Sequence, residues 1–120
     1  MKVVDFFSGA GGLTCGLNMA GFQSILGSDI HSTYATTFAK NHPNTHVITN
    51  DIRNLSEQEI FKLTGLRSGE LDLIVGGPPC QGFSINAPIR TLDDQRNHLF
   101  KEYLRVAEVF RPKAILIENV

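Results

Sequence analysis

Apolar residues fall in short runs separated by polar breaks, and the runs alternate between two periods. Residues 2–7, 23–28, 46–49, 71–75 and 113–117 are compact stretches of strand length, each closed by polar or glycine-rich residues. Between them, residues 13–19, 31–40, 56–66 and 97–110 carry apolar positions at helical spacing. The last of these helices aligns Leu99, Tyr103, Val106 and Phe110 on one face, with Phe100, Leu104 and Ala107 beside it. The helix at residue 56 opens with Ser56 and Glu59 three residues apart, a capping-box pattern, and turns Ile60, Leu63 and Leu66 inward. Strand and helix in strict alternation predict an α/β fold: a mostly parallel sheet with helices on both faces, right-handed crossovers, and ligands bound outside the carboxyl ends of the strands.

Polar chemistry gathers at those strand ends. After the first strand comes Ser8-Gly9-Ala10-Gly11-Gly12, then a helix. Strand, glycine turn and helix form the layout of a nucleotide-binding crossover, although the third glycine comes too soon for the dinucleotide pattern. Asp29 closes the second strand, twenty residues beyond Gly9. Its spacing from the glycines favours a ribose acceptor over the alternative, a cap for the following helix. Asp51 closes the third strand, either as a turn cap or as an acceptor for a base amino group.

The fourth strand runs into Gly76-Gly77-Pro78-Pro79-Cys80-Gln81-Gly82-Phe83-Ser84. Proline fixes its own φ and restricts the residue before it, so Cys80 stands on a stiff pedestal suited to a positioned nucleophile. A single cysteine is also often a small, inert core residue. Five strand ends bearing glycine or acid chemistry on one rim, Glu118 at the last, weigh toward the nucleophile. About a dozen aperiodic residues follow Ser84, in the place of a binding loop.

The chain has 120 residues, 42% hydrophobic and 19% charged, which suits one globular domain. Its formal net charge of -1 is unlike that of a domain that grips nucleic acid alone. No apolar run approaches the ~20 residues of a membrane span, and no signal peptide is apparent, so Cys15 and Cys80 are expected to stay reduced in an intracellular, bacterial cytoplasmic protein. His31, His42, His46 and His98 lack ligand spacing with the cysteines, and no metal site is expected. A thiol redox role would want a second cysteine near Cys80. The run to Val120 ends like a cut through a larger domain.

Three segments in order, residues 5–13 (Asp-Phe-Phe-Ser-Gly-Ala-Gly-Gly-Leu), residues 77–84 and Glu118-Asn119-Val120, resemble the C5-cytosine DNA methyltransferases. The likeness runs the whole chain but covers only the amino-terminal part of that family's catalytic domain. It implies a Rossmann-like fold, incomplete here, without the target-recognition domain and later motifs. It also implies S-adenosyl-L-methionine as cofactor, with S-adenosyl-L-homocysteine as product. The cofactor would lie on Phe7, Ser8, Gly9, Ala10, Gly11, Gly12 and Leu13. Asp29 and Ile30 would hold its ribose side, Asp51 and Ile52 its adenine, and Pro79 and Leu99 would line the pocket. Cys80 would add to carbon 6 of a flipped cytosine while Glu118 protonates N3, making carbon 5 nucleophilic. Gln81, Gly82, Phe83, Ser84, Arg96 and Asn119 would belong to the substrate and DNA loop. Arg96 fits a phosphate contact, or a solvated arginine beside Asp93 and Asp94. Double-stranded DNA, in a restriction-modification setting, is the implied substrate, and a second chain could supply the missing parts by docking on the fifth strand. Alternatives are a tRNA cytosine-5 methyltransferase of the same architecture, or an inactive cofactor-binding scaffold or fragment.

Overall fold

The computed structural model describes residues 1–79 and 95–119, the side chains of residues 95–97 excepted. Five strands form one sheet: β1 (Lys2–Phe6), β2 (Gln23–Asp29), β3 (His46–Thr49), β4 (Leu73–Gly76) and β5 (Ala114–Ile117). Their spatial order is β3-β2-β1-β4-β5, and all four pairings are parallel. Helices α1 (Gly12–Met19), α2 (Ser32–Asn41), α3 (Glu57–Thr64) and α4 (Gln95–Phe110) lie in the connections. The predicted α/β architecture is therefore present, with every described pairing parallel. Strand order turns back at β1: β2 and β3 build outward on one side, β4 and β5 on the other. The crevice outside the carboxyl ends of β1 and β4 is the switch point where such sheets bind ligands.

Alternation along the strands sends side chains to two cores. Val4, Phe6, Leu26 and Ile74 pack with Ile60 and Leu66 beneath α3 and with Tyr103, Val106 and Phe110 of α4. Val3, Leu73 and Val75 meet Leu13, Leu17 and Phe22 on the other face. The two faces explain why the parallel strands read as near-continuous apolar runs. Leu71 is fully buried in the first core yet lies outside the ladder, so β4 begins two residues later than its hydrophobicity suggests. Burial against α3 and α4, rather than strand pairing, accounts for that apolar residue.

Local signals hold where they are chemical. Ser56 and Glu59 form the reciprocal capping box, with the Glu59 amide donating to Ser56 Oγ at 3.2 Å and the Ser56 amide donating to Glu59 Oε2 at 2.9 Å. Helix α2 is capped by the His31 backbone, so Asp29 is not its cap residue. A 3-10 turn at Ile52–Asn54 follows β3, and Asp51 caps it, one of the two roles its position offered, by accepting from the Arg53 amide at 3.0 Å.

Sheet and helix also approach closely at Gly76. A Cβ there would stand 2.5 Å from the Phe6 carbonyl oxygen and 2.7 Å from Tyr103 Cε2. Neither neighbour can give way: the first is ladder backbone, and the second is a fully buried ring whose hydroxyl donates to the Leu116 carbonyl at 3.1 Å. Gly76→Ala is expected to destabilise the fold by about 1–3 kcal/mol, the cost of forcing extra volume into a packed core. An unchanged urea midpoint for this variant would contradict the packing.

Candidate functional site

The glycine turn after β1 is built from backbone that side chains resist. Phe7, Gly9 and Gly11 all have positive φ, at 57°, 52° and 93°. Gly9 and Gly11 tolerate this freely, whereas Phe7 stores strain of the kind found at ligand clamps. The Ser8 amide donates to the Ser28 carbonyl at 3.1 Å and the Gly11 amide to the Ser8 carbonyl at 2.9 Å, which closes the turn over the end of β2. Asp29 completes the closure: its Oδ2 accepts from the Gly9 amide at 2.9 Å and its Oδ1 from the His31 amide at 2.8 Å.

A cavity of about 400 Å³ opens at this rim, within the ~300–1,000 Å³ typical of small-molecule sites. Its wall brings together Phe7, Gly9, Asp29, Ile30, Asp51, Ile52, Pro79 and Leu99 from the sequence expectations. Ser8, Ala10, Gly11, Gly12 and Leu13 belong to the same turn and first helical turn but do not line the cavity. The wall also includes Phe6, Ser28, His31, Tyr34, Asn50, Arg53 and Gly77, which the sequence reading did not assign to it. Gly77 lay in the motif already; the others show no pattern of their own, because only the fold brings them there.

Electrostatics divide the two rim acids. Arg53 closes on Asp51, with Nε donating to both carboxylate oxygens at 3.0 Å and Nη2 to Oδ2. These bonds hold the Asp51 carboxyl below the usual range. Arg105 of α4 donates from Nη2 to the Ile52 carbonyl at 2.9 Å and so pins the same turn from outside the cavity.

Glu118 follows β5 and is exposed; its amide donates to the Gly76 carbonyl at 2.9 Å. A Cβ on Gly77 would stand 2.9 Å from Glu118 Oε2, so the carboxylate lies directly beside the backbone leading to Pro79. Asn119 is exposed next to it. Cys80, Gln81, Gly82, Phe83 and Ser84, with the side chain of Arg96, lie outside the described residues.

The residues present suit an adenosine-bearing cation. Two rim carboxylates can accept from hydroxyl and amino groups, and Phe7, Ile30, Ile52 and Leu99 offer apolar contact to a ring. Gly9 leaves open space where any other residue would place a Cβ.

Fold and rim together define a ligand-binding domain of the parallel α/β class. The comparisons specify it further: the family model for C-5 cytosine-specific DNA methylase matches residues 1–120, and the chain belongs to that family. S-adenosylmethionine-dependent methyl transfer is the chemistry this membership implies. The chain is 43% identical to the Type II methyltransferase M1.HphI of Haemophilus parahaemolyticus, over all of this chain and 32% of the relative. It is 38% identical to the Type II methyltransferase M.AquIA of Picosynechococcus, over 99% of this chain and 48% of that protein. A crystal structure described as a candidate DNA modification methyltransferase encoded within an E. coli prophage superposes with a TM-score of 0.84 at 35% identity. That match covers all of this chain and 32% of the other. A Spodoptera frugiperda DNMT2 mutant follows at 0.71 and 27%, over 99% of this chain and 35% of that one. The chain thus spans between about a third and a half of the length of these proteins. No helix among the described residues is long and apolar enough to cross a membrane.

Beneath the turn, Asp5 is 1% exposed on β1. Thr14 of α1 donates its hydroxyl to Oδ2 at 2.7 Å, and Oδ1 has no partner among the described residues. Burial, opposed by the Thr14 bonds and reinforced by the charge of Asp29, raises its pKa from 3.8 to about 7. An acid with a raised folded-state pKa contributes stability that is complete below its unfolded pKa and is lost as pH rises through the folded value. Wild-type stability should therefore fall between pH 5 and pH 8.5 by roughly 2–3 kcal/mol from this group alone. Asp5→Asn should flatten that decline, as read by urea unfolding at both pH values; parallel declines in the two proteins would refute the assignment.

Proposed function

We propose that this chain is the cofactor-binding and nucleophile-bearing part of a DNA (cytosine-5-)-methyltransferase. The observation that carries the proposal is the cavity wall itself. The glycine turn, Asp29 and Asp51 meet there with Pro79, the residue immediately before Cys80, while Glu118 stands beside Gly77. Cofactor residues and the pedestal of the nucleophile thus share one rim.

In this reading Asp29 accepts from the ribose hydroxyls, keeping both its backbone bonds, since each carboxylate oxygen has a second lone pair. Asp51 accepts from the adenine amino group, and Arg53 gives up part of its grip when it does so. Ile30, Ile52 and Leu99 flank the ring. S-adenosylmethionine, when bound, supplies an electrophilic methyl group. Cys80, as the thiolate, forms a bond from Sγ to carbon 6 of cytosine, and Glu118 delivers a proton to N3 so that the ring does not hold a full negative charge. Carbon 5 is then enamine-like and takes the methyl group, with S-adenosylhomocysteine as the leaving group. Loss of the carbon-5 proton to a base such as water, elimination of the Cys80 thiolate and return of the N3 proton to Glu118 restore both aromatic ring and enzyme. Because the carbon lies inside the duplex, the base must be flipped out, at a few kcal/mol of stacking and pairing.

Double-stranded DNA is the proposed substrate, with Gln81, Gly82, Phe83, Ser84, Arg96 and Asn119 in the loop that approaches it. The Type II relatives support a bacterial intracellular setting and a restriction-modification role for this reading. The apolar, exposed edge at Ile115, Leu116 and Ile117 suits docking of further polypeptide, on this or a second chain, that carries target recognition.

Incubation with 5-fluorocytosine DNA and S-adenosylmethionine tests the mechanism, because fluorine cannot leave as a cation and a working enzyme stays covalently trapped. Little or no adduct is expected from these 120 residues alone. A gel-stable adduct is expected once a relative's carboxy-terminal portion is added, and it should vanish in Cys80→Ser. An adduct that survives that substitution would refute the mechanism. Trapping on a 5-fluorocytosine tRNA but not on DNA would shift the substrate to RNA.

A further inference from the structure

The glycine turn is held from below by Asp29; a second set of side chains holds it from outside. Asn41, the last residue of α2, donates from Nδ2 to the Ala10 carbonyl at 3.1 Å. His42 follows it, buried, with Nε2 3.0 Å from the Gly11 carbonyl. That carbonyl also accepts the first bond of α1, from the Cys15 amide at 2.9 Å, so both its lone pairs are engaged.

A short relay fixes the imidazole proton. The Ser24 amide donates to Asn18 Oδ1 at 3.3 Å, which orients the Asn18 amide group. Its Nδ2 then faces His42 Nδ1 at 3.5 Å as a donor, so Nδ1 must be the bare nitrogen. Nε2 therefore carries the hydrogen and donates to Gly11. Phe38 fixes the ring plane, its centroid 4.6 Å from that of His42. The two rings fill the space a Cβ on Gly11 would need. Glycine at this position thus serves two ends: it permits a φ of 93°, and it admits the imidazole to its own carbonyl.

Neither Asn41 nor His42 lines the cofactor cavity. We propose that Asn41 and His42, through their bonds to the Ala10 and Gly11 carbonyls, are positioning residues that hold the glycine turn in its cofactor-binding shape. The proposal rests on the reading of the cavity as the S-adenosylmethionine site. Its physical basis is entropic. A turn with two glycines and a strained Phe7 has many alternative conformations, and each tethered carbonyl removes some of them before the ligand arrives.

Calorimetric titration with S-adenosylhomocysteine tests the proposal, paired with thermal unfolding of the same ligand-free proteins. Asn41→Ala alters an exposed side chain and should leave the unfolding midpoint near the wild-type value while raising Kd about tenfold, the equivalent of 1.4 kcal/mol. His42→Phe keeps a ring against Phe38 but loses the donor, and should raise Kd by a similar factor. His42→Gln retains a donor amide and should recover most of the affinity. Wild-type affinity in both Asn41→Ala and His42→Phe would overturn the proposal. So would a His42→Gln protein as weak and as unstable as His42→Phe, since that pattern marks packing alone. A wild-type protein that does not bind the ligand would remove the cofactor reading, and this inference with it.

Discussion

Asp29 accepts from two backbone amides, those of Gly9 and His31, which belong to different crossover connections. Its carboxylate is nearly buried, at 9% exposure, and a desolvated charge of that kind persists only when its lone pairs are well used. The two bonds draw the glycine turn against the head of α2, and the cavity lies between them. Removing the acid would leave two amide donors at the rim with no acceptor. Burial is the main cause of the raised Asp5 pKa beneath it, and the Asp29 charge adds to that shift.

Much of this rim could be read from the chain because its causes are local or periodic. Glycines at 9 and 11 announce a turn that needs positive φ, and both have it. Ser56 and Glu59 announce a cap that forms as expected. The acids at 29 and 51 were found by their place after strand-like runs, a consequence of ligands binding at carboxyl ends. What could not be read depends on contacts distant in sequence. Nothing near Arg53 says that it closes on Asp51 at the cavity mouth, and nothing in residues 31–34 says that His31 and Tyr34 reach its wall. Asp29 offered two roles on paper; the fold removes one, since the His31 backbone caps α2, and leaves the carboxylate facing the rim. Asp5 opened the segment of family resemblance at 5–13 without a role of its own. Its burial and its unpartnered oxygen come from α1 folding over it.

Close approach governs the other side of the cavity. At Gly76 the sheet admits the Tyr103 ring only because no side chain intervenes, and at Gly77 the backbone passes directly under the Glu118 carboxylate. These adjacent glycines serve different ends. The first allows α4 to seat on β4 and β5, and the second brings the ends of β4 and β5 together just before Pro79. The pedestal is therefore anchored at its base by packing, not by the prolines alone.

Charge sets the division of labour around the site. On the proposed reading a carrier of a sulfonium and an amino group is drawn to a rim bearing Asp29 and Asp51, the second of which is paired with Arg53. A DNA backbone is repelled by the same acids. With a formal net charge of -1, the chain has little overall field to offset that repulsion, whereas domains that hold DNA unaided are usually basic. The cofactor half of the proposed reaction is consequently well served by these residues, and the grip on nucleic acid must come from basic surface outside the rim. The exposed apolar edge of β5, with Ile115, Leu116 and Ile117, gives such a surface a place to attach close to Glu118, the residue proposed to meet the base.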